Sequence, residues 1–130
     1  MCRTRVLVAD DEPTIRDILR RLLLHEGFCV LEARDGVEAL SAARNCDAQV
    51  IVMDINMPRM SGIEALRQLR DDPRFARTPT LLISGNVAGP RLMGLGRIAD
   101  TLYLSKPFNL DQILQAIADM ARGAERQGIA

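Results

Sequence analysis

Lysine and histidine are almost missing from this chain, which has one of each, Lys106 and His25. Also missing is any apolar run long enough to span a bilayer, or a signal-peptide pattern at the N-terminus. Membrane insertion and export are therefore not expected, and a cytoplasmic location is. An excess of charge of either sign is absent too, since 17 basic residues balance 17 acidic ones. That removes the electrostatic reason to expect direct nucleic-acid or membrane-surface binding. Cysteine is sparse: Cys2, Cys29 and Cys46 are odd in number and lack metal-ligand spacing. They are expected to be free thiols in a reducing compartment. Repeats, low-complexity tracts and internal linkers are absent. With 48% hydrophobic residues in 130, the chain suffices for one domain with a sizeable core. That domain is expected over residues 1–122, with 123–130 a polar, fraying tail.

The stretch that organises the chain is Gln49-Val-Ile-Val-Met-Asp54-Ile-Asn-Met-Pro58. A short apolar run ending in one carboxylate reads as a buried strand, of the kind found in parallel sheets. Asp54 falls where that strand leaves the core, and open α/β sheets bind ligands at this end. An Asp there can also merely start the turn before Pro58, so the rest of the chain has to decide.

Arg5-Val-Leu-Val-Ala reads as a first strand running into Asp10-Asp11-Glu12-Pro13. Pro13 suits the first turn of a helix, and the acids before it suit its positive end. Ile15, Ile18, Leu19, Leu22 and Leu23 then mark one helical face, and Gly27 stops the helix. His25 is expected at the surface near that helix end. Cys29-Val-Leu-Glu-Ala is a second strand. Asp35-Gly-Val-Glu38 has capping-box spacing, followed by Val37, Leu40 and Ala43 as an apolar stripe. Ser61-Gly-Ile-Glu64 opens a further helix that turns Ile63, Leu66 and Leu69 inward. Pro79 to Ser84 is a fourth strand. Residues 87–98 should form a helix by alternation, yet Gly89, Gly94 and Gly96 each cost about 1 kcal/mol in a helix interior. Thr101 to Ser105 is a fifth strand, followed by Lys106-Pro107, and Asn109 caps a final helix carrying Ile113, Ile117 and Met120. Strands alternating with helices predict a parallel sheet covered on both faces through right-handed crossovers.

Parallel strands send all their carboxyl ends to one edge. That edge would gather Asp10, Asp11, Asp54, Ser84 and Lys106. Two carboxylates about 4 Å apart repel by roughly 4 kcal/mol at an effective dielectric of 20. Either a proton or a cation has to be taken up. Few carboxylates with room for water and phosphate oxygens suit Mg²⁺. A carboxylate is also a nucleophile toward phosphorus, giving an aspartyl phosphate. Of the 17 basic residues, 16 are arginine, so the single lysine at this edge stands out as a compact charge for a phosphoryl oxygen. Ser84 would add a hydrogen bond.

Asp-Asp-Glu-Pro, Met-Asp-Ile-Asn-Met-Pro-Arg-Met-Ser-Gly, a strand-end Ser and Tyr-Leu-Ser-Lys-Pro-Phe, in that order, resemble the receiver domain of two-component response regulators, chemotaxis regulators included. The resemblance runs from Arg5 to about Arg122. It implies an α/β, flavodoxin-like (βα)5 three-layer sandwich with a five-stranded parallel sheet in the order 2-1-3-4-5. It implies that Asp54 accepts a phosphoryl group from a bacterial histidine kinase or a histidine phosphotransfer protein. Mg²⁺ would be held by Asp11, Asp54 and the backbone carbonyl of Asn56, with Asp10 acting through water. Ser84 and Lys106 would bind the phosphoryl oxygens, and Ser84 and Tyr103 would act as the switch. A cis bond before Pro107 would aim the lysine inward. The only catalysis implied is of the domain's own phosphorylation and dephosphorylation. The output face would comprise the fourth helical segment, strand five and the last helix. It would serve an unidentified downstream target or a homodimer.

Two departures from the family pattern stand out: Ser84 replaces the more frequent Thr, and residues 88–98 are expected to be short, irregular or mobile. A nucleotide-binding flavodoxin-like protein would need a phosphate-cradling loop where Asp10-Asp11-Glu12 stands. A haloacid-dehalogenase-like phosphatase expects Asp two residues after the nucleophile, where this chain has Asn56. A protein-binding module that is never phosphorylated remains the alternative within the fold. No output domain is read in these residues, and the chain can equally be a stand-alone regulator or part of a longer protein.

Overall fold

A computed structural model describes residues 4–85, 100–106 and 109–126. In chain order it contains β1 (Arg5–Ala9), α1 (Pro13–His25), β2 (Cys29–Ala33), α2 (Gly36–Cys46), β3 (Val50–Asp54), α3 (Gly62–Arg70), a 3₁₀ turn (Pro73–Phe75), β4 (Thr80–Ser84), β5 (Thr101–Ser105) and α4 (Leu110–Arg126). All strand pairings are parallel, in the order β2-β1-β3-β4-β5. This is the flavodoxin-like order that the family resemblance implies. The segment expected as a fourth, glycine-rich helix lies outside the described residues, as does Pro107.

The sheet is covered on both faces because strand side chains alternate with a period of two. Leu7, Ala9, Ile51, Met53 and Leu82 form one core with Ala39, Leu40 and Ala43 of α2 and Ala65, Leu66 and Leu69 of α3. Val6, Val8, Val50, Val52, Leu81 and Ile83 form the other with Leu19 and Leu23 of α1 and Ile113, Ile117 and Met120 of α4. Every residue of β3 is buried, as the apolar run predicts for a central strand. Each such Val or Ile contributes roughly 1.5–3 kcal/mol by burial.

The helix starts follow their capping residues. The Asp35 side chain accepts the Glu38 N–H at 2.9 Å, and Ser61 accepts the Glu64 N–H at 3.2 Å. Pro13 begins α1 behind Glu12, which makes no side-chain cap. His25 is exposed in the last turn of α1, as expected.

Four expectations need correction. Ile18 and Val37, expected on the inner faces, are exposed. In α1 the line through Ile15, Leu19 and Leu23, four residues apart, points at the sheet and leaves Ile18 on its flank. In α2 the inner line is Ala39, Leu40 and Ala43. The last helix continues to Arg126, four residues past the expected domain end at Arg122. One glycine, Gly123, is too small a penalty to stop a helix flanked by Ala and Arg. Finally, Cys29 is disulfide-bonded, while Cys46 is a free, exposed thiol. Cys29 opens edge strand β2, where its N–H donates to the Thr4 carbonyl at 2.9 Å. Spacing along the chain carries no sign of such a pairing.

Candidate functional site

The carboxyl ends of β1, β3, β4 and β5 meet at one edge, and the site is built there. Asp10 follows β1, and its N–H donates to the Ala33 carbonyl at 3.1 Å, which fixes it against β2. Its Oδ1 accepts the Glu12 N–H at 2.9 Å, and its carbonyl accepts from Arg16 Nη1 at 2.7 Å. Arg16 thus pins the acidic loop from below, while its Nε stands 3.6 Å from Glu32 on β2. Asp54 ends β3, and its Oδ1 accepts the Asn56 N–H at 3.1 Å. This short loop is possible because residue 62 is glycine. A Cβ there would be driven into the Asp54 carbonyl oxygen and would lie 3.1 Å from its carbonyl carbon. Instead the Gly62 N–H donates to the Ile55 carbonyl at 2.9 Å.

Lys106 leaves β5 with its N–H donating to the Ser84 carbonyl at 2.7 Å. Its ammonium lies 3.2 Å from Asp54 Oδ2, 3.4 Å from Asp10 Oδ2 and 3.2 Å from Glu12 Oε1. One cation therefore serves three carboxylates, two of them almost wholly buried. Burial pushes both Asp10 and Asp54 above the ordinary carboxylate range. Hydrogen bonds from the loop amides and the nearby ammonium act against this. Mutual repulsion adds to it, through Asp54 on Asp10 and Asp11 on Asp54. Burial alone would lower Lys106, but Asp54 and Asp10 outweigh it and push the ammonium up to about 12.

Of the expected residues, the structure brings Asp10, Asp54 and Lys106 into direct contact. Asp11 is exposed beside them, and the carboxylates of Asp10, Asp11 and Glu12 lie within 4.8 Å of one another. Asn56 joins through its backbone. Ser84 is buried at the end of β4 and joins through its carbonyl. Tyr103 stands apart. Its ring packs against the core on the α2–α3 side, and its buried hydroxyl has no hydrogen-bond partner among the described residues. Burial pushes the phenol up, and the Arg67 charge partly opposes this.

Sequence reasoning assigned Glu12 only to a helix end and missed its contact with Lys106. The signal was present in the third acid of the Asp10-Asp11-Glu12 run.

The donor set is suited to a hard cation. All its groups are oxygens, and the buried Asp10 Oδ2 has only the Lys106 ammonium, 3.4 Å away, as a partner among the described residues. One ammonium cannot neutralise four carboxylates, so among the described residues this cluster retains negative charge.

The family model of the response regulator receiver domain matches residues 6–118, and the chain belongs to this family. Response regulator MprA of Mycobacterium sp. (strain KMS) is 39% identical over 122 residues, covering 91% of this chain and 50% of that protein. MprA of Mycobacterium tuberculosis (strain ATCC 25177 / H37Ra) is 38% identical over the same length and shares. The chain thus spans about half the length of the relatives it matches. Among solved structures, a CheY-like receiver domain protein from Methanospirillum hungatei JF-1 superposes with a TM-score of 0.84. It is 26% identical and covers 95% of this chain and 98% of its own. The response regulator TrrA of Thermotoga maritima, solved in complex with Mg(2+)-BeF, gives a TM-score of 0.77 at 30% identity. That match covers 90% of this chain and 98% of TrrA.

The chain is thus a response regulator receiver domain of two-component signalling and not a member of a conventional enzyme family. No described helix is long and apolar enough to cross a membrane.

Proposed function

We propose that this receiver domain is a phosphoacceptor switch. An Asp54 carboxylate oxygen attacks the phosphorus of a phosphohistidine on a histidine kinase or a histidine phosphotransfer protein. The O–P bond forms, the N–P bond breaks, and the histidine nitrogen keeps the electron pair. The observation that carries this reading is the position of Lys106 Nζ, 3.2 Å from Asp54 and 3.4 Å from Asp10. There it offsets charge on the reacting group, which is most of what phosphoryl transfer requires. Asp11, Asp54 and the Asn56 carbonyl would hold Mg²⁺, with Asp10 reaching it through water. When bound, the ion neutralises charge on the phosphoryl oxygens. That the relative TrrA was solved with Mg(2+)-BeF supports this choice. Asp10 and Asp11 keep the cation close, and Asn56 N–H holds the inner oxygen of Asp54.

Ser84 would donate its hydroxyl to a phosphoryl oxygen, and Tyr103 would relay the change to the output face, made of β5, α4 and the segment before β5 that lies outside the described residues. A downstream partner, or a second copy of the chain, would dock there. The phosphodonor places this exchange in the bacterial cytoplasm. The Cys29 disulfide removes the argument from free thiols, so that location rests on the donor and on the lack of a signal-peptide pattern.

Incubation with Mg²⁺ and a small acyl phosphate tests the proposal. The expected product is an acid-stable, base-labile phosphate that disappears in Asp54→Asn. No incorporation, together with no Mg²⁺ uptake, would instead identify a passive protein-binding module.

A further inference from the structure

The loop from Ile55 to Ser61 carries the Asn56 carbonyl and joins Asp54 to α3. Its ends are fixed by backbone bonds from Ile55 N–H to the Ile83 carbonyl at 2.8 Å and from Gly62 N–H to the Ile55 carbonyl at 2.9 Å. Its middle is fixed differently. Arg59 takes a left-handed backbone conformation, φ +66°, although it is not glycine. Such a conformation persists only where surrounding contacts over-determine it. Those contacts are visible. The Arg59 guanidinium reaches across to Asp35, with Nε 2.9 Å and Nη2 2.8 Å from Oδ2. One residue on, the Met60 carbonyl accepts the Gly36 N–H at 3.1 Å. A side chain at residue 36 would collide with that carbonyl.

Asp35 is a rigid anchor. Its carboxylate is only 8% exposed. Its second oxygen, Oδ1, caps α2 by accepting the Glu38 N–H at 2.9 Å. The cap and the charge hold its carboxyl below the ordinary range. The loop is therefore clamped to the start of α2 by one charged fork and one backbone bond, 24 residues away in sequence.

We infer that Arg59 and Asp35 are positioning residues for the divalent-cation site, holding the loop so that the Asn56 carbonyl is presented beside Asp54. This rests on the proposed Mg²⁺-dependent function. Neither side chain touches the ion or the phosphoryl group. They act through the backbone between residues 56 and 60. Outer partners of this kind commonly change metal affinity by about tenfold when removed.

Two variants separate positioning from stability. Arg59→Gly removes the fork but also relieves the left-handed backbone, so the two effects offset and its melting temperature should stay close to that of the parent. Asp35→Asn keeps an oxygen for the Glu38 N–H, so α2 stays capped while the charge is lost.

Calorimetric titration of metal-free protein with Mg²⁺ is the test. Arg59→Gly and Asp35→Asn should each bind about tenfold more weakly. The double variant should be no weaker than either, because both break one link. Arg59→Lys should recover part of the affinity. Phosphorylation from an acyl phosphate should need more Mg²⁺ for half-maximal rate, with the rate at saturating Mg²⁺ within about twofold of the parent. Parental Mg²⁺ affinity in Arg59→Gly, or losses that add in the double variant, overturns the inference alone. A parent protein that takes up no Mg²⁺ overturns the functional reading, and the inference with it.

Discussion

Replacing Lys106 with methionine keeps most of the side-chain volume and deletes the one ammonium that faces Asp10, Glu12 and Asp54. The consequence for stability can be worked from the geometry. At 3.2 Å and 3.4 Å from Asp54 and Asp10, each attraction is roughly 5 kcal/mol at an effective dielectric of 20. Most of that gross energy is spent on taking three charges out of water. What remains is the penalty for leaving two buried carboxylates without a partner. The Lys106 side chain is 17% exposed, and those of Asp10 and Asp54 are 2% and 5% exposed. Solvent therefore screens them little, and the range for a broken buried pair applies, about 3–5 kcal/mol. We expect about 3 kcal/mol, since some water reaches the lysine end. For a domain of this size that lowers the melting temperature by about 10 °C.

The assay is urea and thermal unfolding of parent and Lys106→Met in chelator-treated buffer from pH 4 to 8. The pH dependence carries a definite sign. Asp10 and Asp54 have folded-state pKa values above their ordinary 3.8, and losing the ammonium raises them further. Protons can then replace the lysine as the medium is acidified. The deficit should be largest at pH 7 and shrink as pH falls through the folded-state values. A variant as stable as the parent at pH 7, or a deficit that stays constant down to pH 4, would refute the electrostatic account of this site.

Two further outcomes follow from the same contacts. In the metal-free parent, the raised carboxyl pKa values mean that Asp10 and Asp54 themselves hold more protons in the folded state than in the unfolded one above pH 3.8. The contribution of Asp10 and Asp54 to stability should therefore fall as pH rises through their folded-state values, and Asp54→Asn should flatten that slope in unfolding titrations. Gly62→Ala should cost about 3 kcal/mol in chemical denaturation, because the added methyl meets the backbone of Asp54 and Ile55 and has no flexible neighbour to displace. It should also depress phosphate incorporation at Asp54, since the strand end carrying the nucleophile must shift.

The site was legible wherever it depended on direction along the chain. A buried strand that ends in Asp54 and another that ends in Ser84 must deliver both to the same edge if the sheet is parallel, and they do. The cap residues Asp35 and Ser61 were equally readable, because a cap is a contact between neighbours in sequence. The sheet order was different: alternation predicts parallel strands but carries no order, and only likeness to a known family supplied it.

Facing was less legible. Ile18 and Val37 are apolar and lie close to a helical stripe, yet both point outward. The rotation of α1 and α2 on the sheet is decided by which other residues, Leu19 and Leu23 or Ala39 and Ala43, fit the strands beneath.

The sequence by itself determined the strands, the helix caps and the gathering of acids, hydroxyl and lysine at one sheet edge, since these follow from local periodicity and chain direction. Only the tertiary structure decided that Lys106 is shared among Asp10, Glu12 and Asp54, that Arg59 closes onto Asp35, and that Cys29 is not a free thiol. Those contacts join residues far apart in the chain. They depend on loop conformations, such as the left-handed backbone at Arg59, that no neighbouring residue imposes and only the packed fold can hold.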